Sequence, residues 1–107
     1  EEVLPGISLH RSEGHTHGLQ MVKVSGVTPS GTETLFYPAD LIPTAHHIAT
    51  PYVMGYDLCA ETSMSEKDRY LSQAVAENWI LVFEHDANTP ASRVGKDDKG
   101  NFIAKAL

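Results

Sequence analysis

Residues that bind divalent metal ions occur at three points where a strand is expected to begin or end. His15 and His17 lie in a polar, glycine-flanked loop over residues 12–18, Asp40 follows the run TLFYPA, and His85 follows the apolar run WILVF. Side chains at strand ends are held rigidly and face a common edge of a sheet, so they can converge. Imidazole and carboxylate together suit the borderline divalent metals. The sequence therefore predicts a metal site built from these residues.

Short strands must position these side chains. Apolar alternation and flanking turn residues predict strands over residues 7–11, 19–24, 32–37, 79–83, 92–95 and 101–104. Residues 27–31 (VTPSG) read as a turn, so the second and third strands form a hairpin. Residues 41–56 carry Pro43 and Pro51, which limits any helix there to a short one.

One helix is predicted before the WILVF run. Ser63 and Ser65 are rival N-caps, since each has an acidic residue three positions later, and Asn78 is expected to end the helix. The predicted buried face consists of Tyr70, Leu71, Ala74 and Val75. The order of elements indicates an α/β or α+β fold, a mixed sheet with one main helix. WILVF suits a strand covered on both faces, so a second layer must cover the side that the helix leaves open.

Composition narrows the class of protein. The chain has 107 residues, which permits a single small domain, and its formal net charge of −6 argues against nucleic-acid binding. It contains no apolar run of the roughly 20 residues that span a bilayer. Cys59 is the single cysteine, which excludes an intrachain disulfide and fits the cytoplasm. Because the sequence opens on Glu1 rather than Met, we interpret it as part of a longer protein.

Three segments together match a family pattern. Residues 14–18 (GHTHG) resemble the G-H-T-P-G-H segment of the metallo-β-lactamase-fold hydrolases. Asp40 in FYPADLIPT resembles that family's strand ending in Gly-Asp or Ala-Asp, and His85 in ILVFEHD resembles its last metal ligand. His15 and Asp40 are 25 residues apart, and Asp40 and His85 are 45 apart, which fits a hairpin followed by a helical crossover.

This resemblance implies a hydrolase with one or two divalent metals in an αβ/βα sandwich, zinc foremost, with iron and manganese as alternatives. By position, His15 would bind one metal, Asp40 would bridge the pair as the catalytic carboxylate, and His85 would bind the other. A carboxylate has two oxygens and can span two cations, whereas each imidazole nitrogen serves one. The bond cleaved by a metal-activated water would be an ester, lactone, thioester or phosphoester of a small-molecule substrate.

The family's H-x-H-x-D-H motif, which lies ahead of the GHT segment, is absent from these 107 residues. Without it the site lacks most of its histidine ligands. The resemblance therefore implies the C-terminal half of the fold, as one partial domain over residues 1–107 that is inactive alone. The N-terminal half of the same protein, or an oligomer partner, is expected to cover the open face of the sheet.

Five further residues are candidates for orienting the metal ligands or lining the substrate pocket. His17 stands where the family has Pro, and we interpret it as an exposed loop residue, with a substrate-facing role as the alternative. His46 and His47 are either pocket neighbours or ordinary loop residues. Tyr56 either donates a hydrogen bond to a developing oxyanion or, as we prefer, packs its loop against the sheet. Asp86 either orients a neighbouring ligand or caps the turn to Asn88.

The alternative class is a small non-catalytic module. One version is a cupin-like barrel with His15 and His17 as paired ligands, although the nearest following acid, Glu33, lies beyond a turn. The other version is an oligomer without metal, in which the uncovered sheet face is the subunit interface.

Overall fold

The computed structural model describes residues 2–13, 18–29, 31–48 and 60–107, apart from the side chains of His46 and Ala60. The seven strands of this part form one open sheet in chain order. They are β1 (Glu2–Leu4), β2 (Ile7–Ser12), β3 (Leu19–Thr28), β4 (Gly31–Tyr37), β5 (Ile80–Val82), β6 (Ala91–Lys96) and β7 (Phe102–Lys105). Helix α1 (Ala60–Glu77) connects β4 to β5. The expected mixed sheet with one main helix is confirmed.

Only one of the strand pairings in the described sheet is parallel, that of β4 with β5. The others are antiparallel pairs of strands that are consecutive in the chain. Two 3-10 turns, Ala39–Leu41 and Ala45–His47, follow β4 before the chain enters α1. A parallel pair needs a long crossover connection, and α1 supplies it.

The hydrophobic core lies between α1 and one face of the sheet. Met21, Phe36 and Leu81 point to this side from β3, β4 and β5, and each is almost fully buried. Trp79, fully buried, packs against Phe36 with the ring centroids 5.1 Å apart. Burying a large apolar side chain contributes about 1.5–3 kcal/mol. These contacts therefore fix the strand that leads to His85.

Helix α1 ends where the sequence predicts but begins earlier. Asn78 has a φ of 59°, and the Trp79 N–H donates to the Ala74 carbonyl at 2.9 Å, which closes the helix in a Schellman motif. The predicted N-caps are wrong, because the helix starts at Ala60 and Ser63 is a fully buried interior residue. Burial of Ser63 extends the core-facing side by a turn that apolar periodicity does not reveal.

The predicted helix face and strand bounds need smaller corrections. Tyr70, Leu71 and Ala74 are buried, but Val75 is 37% exposed. The hairpin turn is tighter than predicted, because β3 runs on to Thr28 and β4 begins at Gly31. The WILVF run contributes a strand of three residues, Ile80–Val82, whose flanking residues are buried against α1.

No element among the described residues covers the second face of the sheet, which is largely apolar. Val24, Leu35 and Ile103 point to this side and are 39%, 41% and 40% exposed. Together with Ile80, the first two line a shallow groove of about 390 Å³. Exposed apolar patches of this kind are uncommon on monomeric soluble proteins.

His10 lies on the α1 side of the sheet. Its ring makes edge contacts with Phe36 and Tyr70, at centroid distances of 6.3 and 5.7 Å, and its Nε2 lies 3.0 Å from the Ser8 hydroxyl. Burial, followed by the positive charge of Lys23, lowers the pKa of His10 below its ordinary value. This half-buried histidine therefore packs beside core aromatic residues and favours its neutral form.

Candidate metal centre

The parallel pairing of β4 and β5 brings two strand ends to the same edge of the sheet. Leu35 lies beside Ile80 in this pairing. Asp40 follows the last residue of β4 by three positions, and His85 follows the last residue of β5 by three positions. Two side chains that are 45 residues apart in the sequence therefore meet at one edge.

Three side chains meet there and form what we call the donor cluster: Asp40, Glu84 and His85. The His85 Nε2 lies 2.8 Å from Oδ1 of Asp40 and 3.6 Å from Oε2 of Glu84. One ligand atom from each residue lies within 4.8 Å of the other two. The side chain of His85 is 54% exposed, so the cluster opens to solvent. Two carboxylates and an imidazole in this arrangement offer the donor set that borderline divalent metals take.

The sequence predicts Asp40 and His85 as metal ligands but assigns no role to Glu84. The available signal was its place directly before His85 in the bend that follows β5. Side chains alternate between faces only while the chain is a strand. Once the strand has ended, two consecutive residues can turn to the same point, and Glu84 and His85 do so.

Tyr37, the last residue of β4, joins the donor cluster through Glu84. Burial, a side-chain hydrogen bond with Glu84 and the negative charges of Glu84 and Asp40 raise the pKa of Tyr37 to about 12. The phenol therefore keeps its proton near neutral pH. Tyr37 donates this hydrogen bond, and the Glu84 carboxylate accepts it.

The backbone around Asp40 is constrained on both sides. Ala39, buried directly before it, has a φ of 52°, a left-handed conformation that favours glycine and is costly for a side chain with a Cβ. Beyond Asp40, the carbonyl of Pro43 accepts a hydrogen bond from the His85 N–H at 3.1 Å. This bond fastens the segment after β4 to the segment after β5. Backbone strain of this kind is common at functional sites.

Asp86 fastens the same two segments through its side chain. Oδ2 accepts a hydrogen bond from the Ala45 N–H at 2.9 Å, while Oδ1 accepts those of Asn88 at 3.0 Å and Thr89 at 2.8 Å. Asp86 therefore caps the turn to Asn88, one of the two predicted alternatives. It also holds the chain that follows Asp40 next to His85.

The remaining candidate residues do not enter the described donor cluster. His15, His17 and Tyr56, together with the side chain of His46, lie outside the described residues. His47 is half-buried, and its Nδ1 lies 2.8 Å from the Thr44 hydroxyl. The metal-binding roles of His15, Asp40 and His85 stay predictions.

Solved structures share this architecture across the whole chain. The chain superposes on a probable metal-dependent hydrolase from Staphylococcus aureus with a TM-score of 0.80 and 24% identity, covering all of this chain and 38% of that one. It superposes on AidC, a dizinc quorum-quenching lactonase, with a TM-score of 0.74 and 17% identity, covering 100% and 36%. For the hydrolase AbOPH of the β-lactamase superfamily, the TM-score is 0.78 at 12% identity, covering 99% and 36%.

These likenesses show a metallo-β-lactamase-type fold, as the sequence predicts, and not a cupin-like barrel. The chain spans little more than a third of the length of these neighbours. No family model matches the sequence, and no curated protein matches it. Among the described residues, no helix has the length and apolar character needed to cross a bilayer.

Proposed function

We propose that the chain is the C-terminal part of a metal-dependent hydrolase, in which Asp40 and His85 bind a divalent ion, zinc foremost. The observation that carries this proposal is the 2.8 Å approach of His85 Nε2 to Asp40 Oδ1 at the end of the parallel strand pair. The donor set fits such an ion, because Glu84 adds a second carboxylate within 4.8 Å. The fold, whose solved neighbours include metal-dependent hydrolases, supports the same proposal.

The chain's own residues hold and orient this site. His85 offers one nitrogen, while Asp40 has two oxygens and can contact a second ion that His15 would help to bind. A divalent ion bound there supplies a Lewis acid and lowers the pKa of a coordinated water. Asp86 and the Pro43 carbonyl hold the two ligand segments against each other. The ligand geometry is thus set by hydrogen bonds before any substrate arrives.

The proposed reaction is hydrolysis of an ester-type bond in a small molecule. Lactone, ester, thioester and phosphoester substrates all present an oxygen that a Lewis acid can polarise. A lactone is the first substrate to test, because one neighbour is a dizinc lactonase. An N-acyl homoserine lactone and a simple aryl ester therefore form the first substrate pair.

We further propose that an N-terminal part of a longer polypeptide packs on the open sheet face. The support is the apolar character of this face at Val24, Leu35 and Ile80, together with neighbours more than twice as long as this chain. Association through this face as a metal-free oligomer is the competing function. Covering the face removes these side chains from water, at about 25 cal/mol per Å² of apolar surface.

Zinc titration of the 107-residue chain by calorimetry tests the metal assignment. We expect weak binding, loss of binding in Asp40→Asn and in His85→Ala, and unchanged binding in Asp98→Asn, an exposed carboxylate in the turn after β6. We expect no turnover of the lactone or the aryl ester by this chain. Binding that survives both ligand substitutions would overturn the metal site, and turnover by the chain alone would overturn the partial-site proposal.

Sequencing the gene upstream of the codon for Glu1 tests whether the chain is the C-terminal part of a longer hydrolase. An H-x-H-x-D-H segment in the same reading frame is the expected result, and a start codon directly before Glu1 contradicts it.

In a Cys59→Ser background, a cysteine placed at Val24 should react with maleimide in the short chain and be protected in the longer protein. A cysteine placed at Asp98 serves as the control that reacts in both. Equal reaction at Val24 in the two proteins would argue against packing on this face, and protection in the short chain that depends on its concentration would indicate the oligomer.

A further inference from the structure

We propose that Glu84 is a third protein ligand of the ion that Asp40 and His85 hold, and that Tyr37 is the positioning residue that fixes its carboxylate. This inference rests on the proposed function, because it adds a donor to the same site. It concerns residues of this chain alone and does not depend on His15.

The separations in the donor cluster are close to those of a bound ion. Donors at roughly 2.0–2.1 Å from a tetrahedral zinc lie about 3.3 Å from one another. Glu84 Oε2 is 3.6 Å from His85 Nε2, and Asp40 Oδ1 is 2.8 Å from the same nitrogen. Coordination would lengthen the second separation and shorten the first by a few tenths of an ångström. These side chains open to solvent and can move that far without disturbing the core.

Charge favours Glu84 as a ligand. Two carboxylates and a neutral imidazole carry a charge of −2, which balances a divalent ion, whereas Asp40 and His85 alone leave an excess positive charge. An isolated surface ion pair gains little from holding a long side chain in one place. Attraction to His85 is therefore a weak reason for the position of Glu84, whose side chain is 40% exposed.

Tyr37 supplies the stronger reason. Its hydroxyl hydrogen-bonds Glu84 from the end of β4, where strand pairing holds the backbone. A carboxylate that accepts one hydrogen bond keeps lone pairs for a metal. Partners that orient a ligand in this way typically contribute about 10–100-fold to metal affinity. The Tyr37 phenol thus sets the carboxylate in place and leaves it free to coordinate.

The test measures zinc affinity and the cobalt(II) absorption spectrum of the 107-residue chain. Glu84→Gln and Glu84→Ala are expected to weaken zinc binding by roughly 100-fold, at the upper end of the usual effect of an outer partner. Both should also shift the cobalt ligand-field bands, because the coordination changes. Tyr37→Phe should weaken zinc binding by about tenfold and alter the same bands. Asp98→Asn is the charge control, and Trp79 fluorescence in urea checks that each variant folds.

The outcomes separate this inference from the proposed function. Loss of binding in His85→Ala, together with wild-type affinity and cobalt spectrum in Glu84→Ala, would leave the metal site standing and overturn the role of Glu84. A weaker affinity with an unchanged cobalt spectrum would make Glu84 a charge partner only and also overturn it. Wild-type binding in His85→Ala would overturn the proposed function itself. A Tyr37→Phe variant with unchanged bands would remove Tyr37 from the proposal.

Discussion

Replacement of Asp86 by Ala is expected to weaken the attachment between the segments that carry Asp40 and His85. Asp86 is not itself a member of the donor cluster. The carboxylate accepts hydrogen bonds from three backbone N–H groups, those of Ala45, Asn88 and Thr89. A hydrogen bond to a charged group contributes about 1.5–3 kcal/mol when it is shielded from solvent. The Asn88 bond is exposed and the other two are partly buried, so we expect Asp86→Ala to lower the free energy of unfolding by about 3 kcal/mol.

Asp86→Asn separates the two functions of the side chain. Its amide oxygen can keep the hydrogen bonds of Asn88 and Thr89, while its NH₂ group would face the Ala45 N–H. The variant therefore loses the bond between the two ligand segments and keeps the turn. We expect the free energy of unfolding to fall by about 1 kcal/mol and the free energy of zinc binding to fall by more than that.

Urea unfolding followed by Trp79 fluorescence measures both variants, because Trp79 is the single tryptophan and is fully buried. Asp98→Ala is the matched control and should stay within about 0.5 kcal/mol of the wild type. A domain of this kind is stable by about 5–15 kcal/mol, so a loss of 3 is readily resolved. An Asp86→Ala variant as stable as the control would show that the carboxylate does not fasten the two segments.

Three further perturbations test other parts of the fold. Ala39→Val should lower the free energy of unfolding by about 2 kcal/mol, because a β-branched residue is poorly tolerated at a φ of 52°. Gly6→Ala should lower the free energy of unfolding by more than Gly100→Ala does. Both glycines have φ near +80°, but only a Cβ at Gly6 would clash, because it would lie 2.5 Å from the Ser25 carbonyl oxygen. The lowered pKa of His10 means that the unfolded chain binds the proton first as the pH falls. The contribution of His10 to stability is therefore complete above about pH 6.5 and is lost below it. Urea unfolding measures the stability in all three cases. For His10, the wild type and His10→Gln are each unfolded at pH 5 and at pH 7.5.

Each of these predictions has a contrary outcome. Equal losses of unfolding free energy in the two glycine variants would contradict the proposed clash at Gly6. An Ala39→Val variant of wild-type stability would contradict strain at that position. The wild type should lose more stability than His10→Gln between pH 7.5 and pH 5. If the two proteins lose the same amount, His10 is not the group responsible.

Local patterns were sufficient to predict the strands that lead to Asp40 and His85. The alternation of apolar and polar residues along 32–37 and the apolar run 79–83 reflect which side chains face α1. The structure places Asp40 and His85 just beyond the ends of those strands. Asn78 ends the helix as expected, because it adopts the left-handed conformation that few residues tolerate. Such features depend on neighbours in the sequence and can be read from it.

Other features depend on distant contacts and have no local pattern. The helix extends back to Ala60, and its polar residue Ser63 is fully buried, which apolar periodicity does not detect. Glu84 lies beside Asp40, and Asp86 accepts a hydrogen bond from the backbone of Ala45, 41 residues away. The positions of side chains that follow the end of a strand depend on tertiary contacts and not on the strand's period.

The parallel pairing of β4 and β5 would give the proposed metal ion an effect on stability. An ion shared by Asp40 and His85 would close a loop of 45 residues, as a removable cross-link. A covalent link across such a loop restricts the unfolded chain by about 4 kcal/mol. A chelator would release this restraint, and the ion would restore it without any covalent change. The lifetime of the folded domain would then depend on the concentration of free metal.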